Sequence, residues 1–280
     1  MTVRRPGGSG HDAESGHDGR RRIFAEPGRN AVGALVAVAL VAGVAGEPRP
    51  SSSQQPAEPQ YRIVRPEGQG PHPALLFVSG CSGFTPHEAP HHYGRVADEF
   101  AARGYVVIFV DYLGVRGRDI CGGAVSPGDV AGDILAAAAY ARTRPFIRAS
   151  EIDVIGWSRG GSGVLSVIAA LPAGATPPFR AAVAYYPECY GVGPPWNVKI
   201  PLLMLLAGKD DLSSTWACEE LVKRLGGDVP LELRVYPEAR HAFDVPDLPP
   251  FVRRTRGGTL GYDPQAAAAA QEEVKRFLGR

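Results

Sequence analysis

Ser158 sits in Gly156-Trp157-Ser158-Arg159-Gly160, with Gly161 next. A serine hydroxyl attacks a carbonyl carbon only when a base takes its proton and the backbone pushes the side chain outward. Gly156 and Gly160 suit such a turn, because neither brings a Cβ atom into the neighbouring backbone. The short apolar run Ile152–Ile155 precedes the motif and a helical pattern begins at Gly161. The serine therefore falls on a strand-to-helix turn, where a nucleophile of this kind must stand. The plainer reading is a Gly-rich loop entering a helix, or an anion site at that helix N-terminus.

The base should be an imidazole, which can take the proton and return it to a leaving group. Of seven histidines only His241 lies beyond Ser158, in Tyr236-Pro237-Glu238-Ala239-Arg240-His241-Ala242-Phe243. A carboxylate must then fix the histidine tautomer and stabilise the imidazolium. Gly208-Lys209-Asp210-Asp211 supplies two adjacent candidates, and Asp210 is preferred, with Asp211 left to cap the following turn. The oxyanion that develops on the attacked carbonyl needs backbone N–H donors. Arg159 is expected to give one, and Cys81 in Ser79-Gly80-Cys81-Ser82-Gly83 the other.

These residues are far apart in the chain, so the elements between them must bring them together. Ala74–Val78 and Val106–Val110 are nearly continuous apolar runs, as in strands covered on both faces. Ile152–Ile155, Ala181–Tyr186, Leu202–Leu206 and Leu231–Tyr236 read as further strands. Helical patterns run over Tyr93–Arg103, Val130–Arg142, Gly163–Leu171, Trp216–Leu225 and Pro264–Leu278, with Gly104, Pro145, Pro172 and Gly226 as stops. Such alternation predicts one α/β domain with a mostly parallel sheet and helices on both faces.

Residues 1–46 read differently. A Gly-, Arg- and His-rich start is followed by the uncharged run Ala31–Ala45, too short to span a membrane and ending in small residues. This predicts a cleaved signal peptide over residues 1–46, export to a periplasmic or extracellular place, and no stable membrane span afterwards. Arg21-Arg22-Ile23-Phe24 is similar to the twin-arginine export motif. Residues 47–59 read as a solvated linker and 60–280 as the catalytic domain. With 30 basic against 29 acidic residues and no basic block in the globular part, nucleic acid is not an expected partner.

On Gly80-Cys81-Ser82-Gly83, Asp111-Tyr112 through Arg116-Gly117, Gly156-Trp157-Ser158-Arg159-Gly160-Gly161, Asp210-Asp211 and Tyr236 through Phe243, the chain resembles the dienelactone hydrolase family of the α/β-hydrolase superfamily. The likeness runs from about Tyr61 to the C-terminus. It implies the α/β-hydrolase fold, a Ser158–His241–Asp210 triad and a small-molecule ester or lactone as substrate. The founding members carry cysteine at the elbow, so the resemblance is to the serine-bearing branches, which include esterases. Acyl transfer or amide cleavage on the same triad, and a non-catalytic exported binding protein, are the competing functions.

Four cysteines allow three pairings in an oxidising compartment. The strand order that the resemblance implies favours Cys81–Cys121 and Cys189–Cys218. Tyr112, Arg116, Trp157 and Tyr185 are candidates for substrate contact, against ordinary roles in packing or at the surface. His87, His91 and His92 lack a carboxylate or cysteine at ligand spacing, so neither a metal nor another cofactor is expected.

Overall fold

Strands without polar alternation must be covered on both faces, and the fold covers them. The computed structural model describes residues 61–87, 89–253 and 258–279. The signal peptide and linker expected over residues 1–59 lie outside them. Seven strands form one sheet: β1 (Arg62–Val64), β2 (His72–Val78), β3 (Val106–Phe109), β4 (Ile147–Trp157), β5 (Ala181–Tyr185), β6 (Leu202–Ala207) and β7 (Leu231–Tyr236). Their order is β1-β3-β2-β4-β5-β6-β7. β1 runs antiparallel to β3, and every other neighbouring pair is parallel. This is the mostly parallel α/β-hydrolase architecture.

The period of two along each strand divides the core. Ala74, Leu76 and Val78 face a layer built from α2 (Pro127–Arg142), α3 (Arg159–Ala170) and α4 (Thr215–Leu225). Leu75 and Phe77 face the other layer, from α1 (His92–Ala102) and α5 (Pro264–Leu278). β2, β4, β5 and β6 are central and their ends all open on one edge, where a parallel sheet gathers its loops.

Element ends differ from the sequence reading in ways with local causes. α2 starts three residues earlier than its apolar pattern, because Ser126 and Asp129 form a reciprocal capping box with Pro127 in the first turn. α3 starts at Arg159 rather than Gly161, directly after the serine. β4 extends back to Ile147, where it pairs with His72 across a register shift. The strand β1 and the two-residue strands β8 (Val252–Arg253) and β9 (Thr259–Leu260) are too short to show a period.

Two disulfides tie loops at the open edge. Cys81–Cys121 links the loop after β2 to the loop after β3, and Cys189–Cys218 links the loop after β5 to α4, each with Cα atoms 5.1 Å apart. Closing loops of 40 and 29 residues is worth roughly 3–4 kcal/mol apiece in the chain-entropy account.

At the closed edge the fold holds one buried carboxylate. Asp153, fully buried in β4, accepts from Arg180 Nε at 3.0 Å and Nη2 at 2.6 Å, and Arg180 also donates to the Leu278 carbonyl at 2.9 Å. Burial raises the Asp153 carboxyl despite the guanidinium beside it. Removing the cation leaves an unpaired buried charge, so Arg180→Leu should destabilise the domain by about 3 kcal/mol, and Asp153→Leu in the same chain should recover much of that loss. Urea unfolding of the two variants and the parent checks this; equal midpoints for single variant and parent would refute it.

Candidate active site

At the open edge the Ser158 backbone turns sharply. Its φ of 50° and ψ of −115° lie where a residue with a Cβ is strained, and its N–H donates to the Tyr185 carbonyl at 2.9 Å. The chain can pass only because its neighbours are glycines. A Cβ on Gly156 would lie 2.5 Å from the Gly160 carbonyl oxygen, and one on Gly160 would collide with the carbonyls of Val78 and Ser79. α3 then starts at once, and Ser162, one turn on, donates from Oγ to the Ser158 carbonyl at 3.1 Å and accepts the Glu188 N–H at 2.9 Å.

The loops after β6 and β7 meet beside this turn. A Cβ on Gly208 would lie 2.5 Å from the Pro237 carbonyl oxygen, and Lys209 N–H donates to the Ala239 carbonyl at 2.9 Å. That close approach sets Asp210 against His241. Asp210 Oδ2 lies 2.8 Å from His241 Nδ1, and His241 Nε2 lies 2.9 Å from Ser158 Oγ. Asp210 Oδ1 is taken by the N–H groups of Leu212 and Ser213, both at 2.9 Å, which fixes the carboxylate. His241 is buried, and its carbonyl accepts the Gly261 N–H at 3.1 Å. Asp211 points elsewhere, accepting the Thr259 N–H and hydroxyl and so securing β9.

Ser158 and His241 open on a cleft of about 300 Å³. Cys81 and Arg159 line it, and among the described residues neither backbone N–H has an acceptor. The loop carrying Cys81 is held by the disulfide, by the Cys121 N–H donating to the Cys81 carbonyl at 2.9 Å, and by tyrosine hydroxyls on either side of the Gly80 peptide. Tyr112 OH donates to the Gly80 carbonyl and Gly80 N–H donates to Tyr93 OH, both at 2.8 Å.

Of the four expected substrate contacts, only Trp157 lines the cleft. Tyr112 is fully buried behind the Gly80 loop, and Tyr185 stacks on Trp157 at 5.6 Å, away from the cleft. Arg116 is turned to Asp133 at 2.5 Å and to the Tyr112 carbonyl at 2.7 Å, so it anchors its own loop. Tyr112 and Tyr185 thus take the packing role, and Arg116 the structural one, that the sequence reading left open beside substrate contact.

Residues that sequence reasoning missed build the wall behind His241. Tyr186, at φ 35°, lies 4.5 Å ring to ring from His241 and donates to Asp244 Oδ1 at 2.6 Å. Trp157 Nε1 donates to Asp244 Oδ2 at 2.8 Å, and His92 Nε2 stands 3.5 Å from the same oxygen. Burial pushes the Asp244 carboxyl up, but the contacts with His92, Tyr186 and Trp157 outweigh it and hold the group below its ordinary range. The available signal was an acid three residues after the candidate base. Among the described residues no cluster of His, Cys, Asp or Glu is arranged to hold a metal ion, and no helix is long and apolar enough to cross a membrane.

With that geometry in view, comparison with known proteins gives consistent findings. The model of the dienelactone hydrolase family matches residues 60–280. A Klebsiella pneumoniae subsp. pneumoniae structure provisionally assigned as a dienelactone hydrolase superposes with TM-score 0.61 at 22% identity, covering 78% of this chain and 91% of its own. The dienelactone hydrolase-like promiscuous phosphotriesterase P91 from metagenomic libraries gives 0.57 at 18%, covering 76% and 87%. Thermogutta terrifontis esterase 2 with bound propionate gives 0.55 at 16%, covering 78% and 88%. At such identities these likenesses speak for the fold. No curated protein matches the chain.

The Asp244 cluster has a measurable pH signature. A carboxylate whose folded pKa is depressed contributes stability above its unfolded pKa of about 3.9 and loses it as pH falls through the folded value. Asp244→Asn should cost about 1–3 kcal/mol at neutral pH, since it weakens hydrogen bonds to buried donors. The gap from the parent should narrow as pH drops below about 4. Urea midpoints across pH check it, and a gap that widens on acidification would contradict the assignment.

Proposed function

The chain belongs to the dienelactone hydrolase family, and from that membership we propose an exported serine hydrolase that cleaves a small-molecule carboxylic ester or lactone through an acyl-serine intermediate. The observation that carries the proposal is the continuous contact Ser158 Oγ–His241–Asp210, at 2.9 and 2.8 Å, open to a cleft. Asp210 accepts the Nδ1 proton of His241, which leaves Nε2 free to accept the Ser158 proton. As Oγ attacks the carbonyl carbon, that proton passes to Nε2 and negative charge gathers on the carbonyl oxygen. The unpaired N–H groups of Cys81 and Arg159 support this reading, since they would stabilise that charge. Collapse expels the alcohol, which takes the proton from His241. Water then attacks the acyl-serine with His241 as base, releasing the acid and restoring the hydroxyl.

The cleft walls fit an acyl group of modest size. Val245, Leu248, Leu260 and Leu212 give an apolar side, while Arg159 and Glu188 are the charged residues along the lining. Export is supported by the two disulfides, which persist where the surroundings are oxidising. A signal over residues 1–46 would supply the route.

Ser158→Ala should lower kcat on p-nitrophenyl butyrate by roughly 10⁴–10⁶-fold, and Asp210→Asn by about 10⁴-fold. Asp211→Asn should leave kcat near the parent value and act on stability through Thr259. Equal slow turnover by the parent and Ser158→Ala would defeat the hydrolase reading. An exported form that begins near residue 46 and yields no free thiol after denaturation is expected. An intact Met1 in the exported form would refute cleavage of a signal, and four thiols would refute both bridges.

A further inference from the structure

Tyr93 lies in the first turn of α1, one residue after its start, and is nearly fully buried at the cleft wall. Its ring is held edge-on by Trp157 at 5.1 Å, Phe84 at 5.2 Å and His92 at 4.9 Å. Its oxygen accepts the Gly80 N–H at 2.8 Å, yet among the described residues its own proton has no acceptor. Tyr112 donates to the Gly80 carbonyl, Tyr186 to Asp244 and Tyr105 to the Leu278 carbonyl, while the buried Tyr236 hydroxyl, also without a partner among the described residues, does not line the cleft. A buried hydroxyl left with an unused proton on a cleft wall calls for an acceptor from outside the protein.

Position narrows what that acceptor is. A Cβ placed on Gly80 would lie 3.5 Å from Tyr93 OH and 3.6 Å from Ser158 Cβ, so the empty side of Gly80 is bordered by both groups. The same loop carries the unpaired Cys81 N–H. We propose that Tyr93 OH donates a hydrogen bond to the oxyanion formed on the substrate carbonyl, as a third donor beside the N–H groups of Cys81 and Arg159. This rests on the ester-hydrolase reading above. Burial pushes the phenol well up, so it stays protonated at neutral pH and remains a donor. Accepting the Gly80 N–H also polarises its O–H bond, which strengthens donation to an anion. Since the ring is packed before substrate arrives, little reorganisation accompanies the reaction.

Tyr93→Phe should lower kcat on p-nitrophenyl butyrate about 10²-fold with little change in KM, the effect of losing one oxyanion donor. It should weaken binding of a phenyl trifluoromethyl ketone, whose hemiketal with Ser158 carries the same oxyanion. Phenylalanine also removes the acceptor for Gly80 N–H, so a second variant separates the two roles. Replacing Tyr93 by 3-fluorotyrosine makes the hydroxyl a better donor and a poorer acceptor. Donation to the oxyanion then predicts tighter ketone binding, whereas a role confined to holding Gly80 predicts weaker binding. Unchanged or weaker binding with 3-fluorotyrosine, in a parent that is active and silenced by Ser158→Ala, overturns the Tyr93 assignment alone. A parent that turns over no ester overturns the underlying reading, and this inference with it.

Discussion

The left-handed backbone at Ser158 is the constraint on which the site depends. A φ of 50° on a residue with a Cβ costs energy that the surroundings must supply. Here the supply is geometric: Gly156 and Gly160 admit backbone carbonyls closer than any side chain would, and Tyr185 accepts the Ser158 N–H. The same turn projects the hydroxyl off the sheet and frees the Arg159 N–H at the start of α3. The projecting hydroxyl and one unpaired N–H are therefore products of a single strained residue. Relaxing it would remove both.

Everything else at the open edge fixes loops in relation to that turn. The Gly80 peptide is held through both its N–H and its carbonyl by Tyr93 and Tyr112, while the Cys81–Cys121 bridge limits how far the segment can drift. The β6 and β7 loops touch at Gly208 and Pro237, which brings Asp210 within 2.8 Å of His241. Behind the imidazole, Asp244 joins Tyr186 and Trp157 into one polar cluster inside an aromatic block. Each loop is tied by hydrogen bonds or a covalent link rather than by apolar contact alone. Directional bonds set positions more narrowly than packing does, and acyl transfer needs reacting atoms aligned at close range.

How far this was legible in the chain follows from the range of each constraint. The turn at Ser158 is a local matter of glycine spacing, so it could be read directly, as could the strands whose apolar runs lack alternation. His241 stood out because no other histidine follows the serine. Asp210 and Asp211 are chemically identical neighbours; they part only because one faces His241 and the other meets Thr259, 48 residues away. Arg116 likewise turns to Asp133, a pairing that no periodicity announces. Tyr112 and Tyr185 were rightly placed near strand ends, but the pattern does not say whether an aromatic ring faces a cleft or packs behind it. Tyr93 was read simply as the first residue of an amphipathic helix, and Asp244 was not read at all.

Such omissions have a common physical origin. A residue whose role comes from a through-space hydrogen bond leaves no mark on local composition, whereas one that meets a backbone requirement does. The buried polar groups around this cleft are almost all of the first kind. The Asp244 side chain is only 9% exposed, in an aromatic block where an unpaired carboxylate would be costly, and its partners come from α1, the end of β4 and the loop after β5. It remains ionised because three separate segments converge on it. That convergence lets a carboxylate buttress the Tyr186 ring against His241 without competing with Asp210 for the imidazole proton. Asp210 and Asp244 thus reach one histidine by different routes, the first by hydrogen bond and the second through the Tyr186 ring.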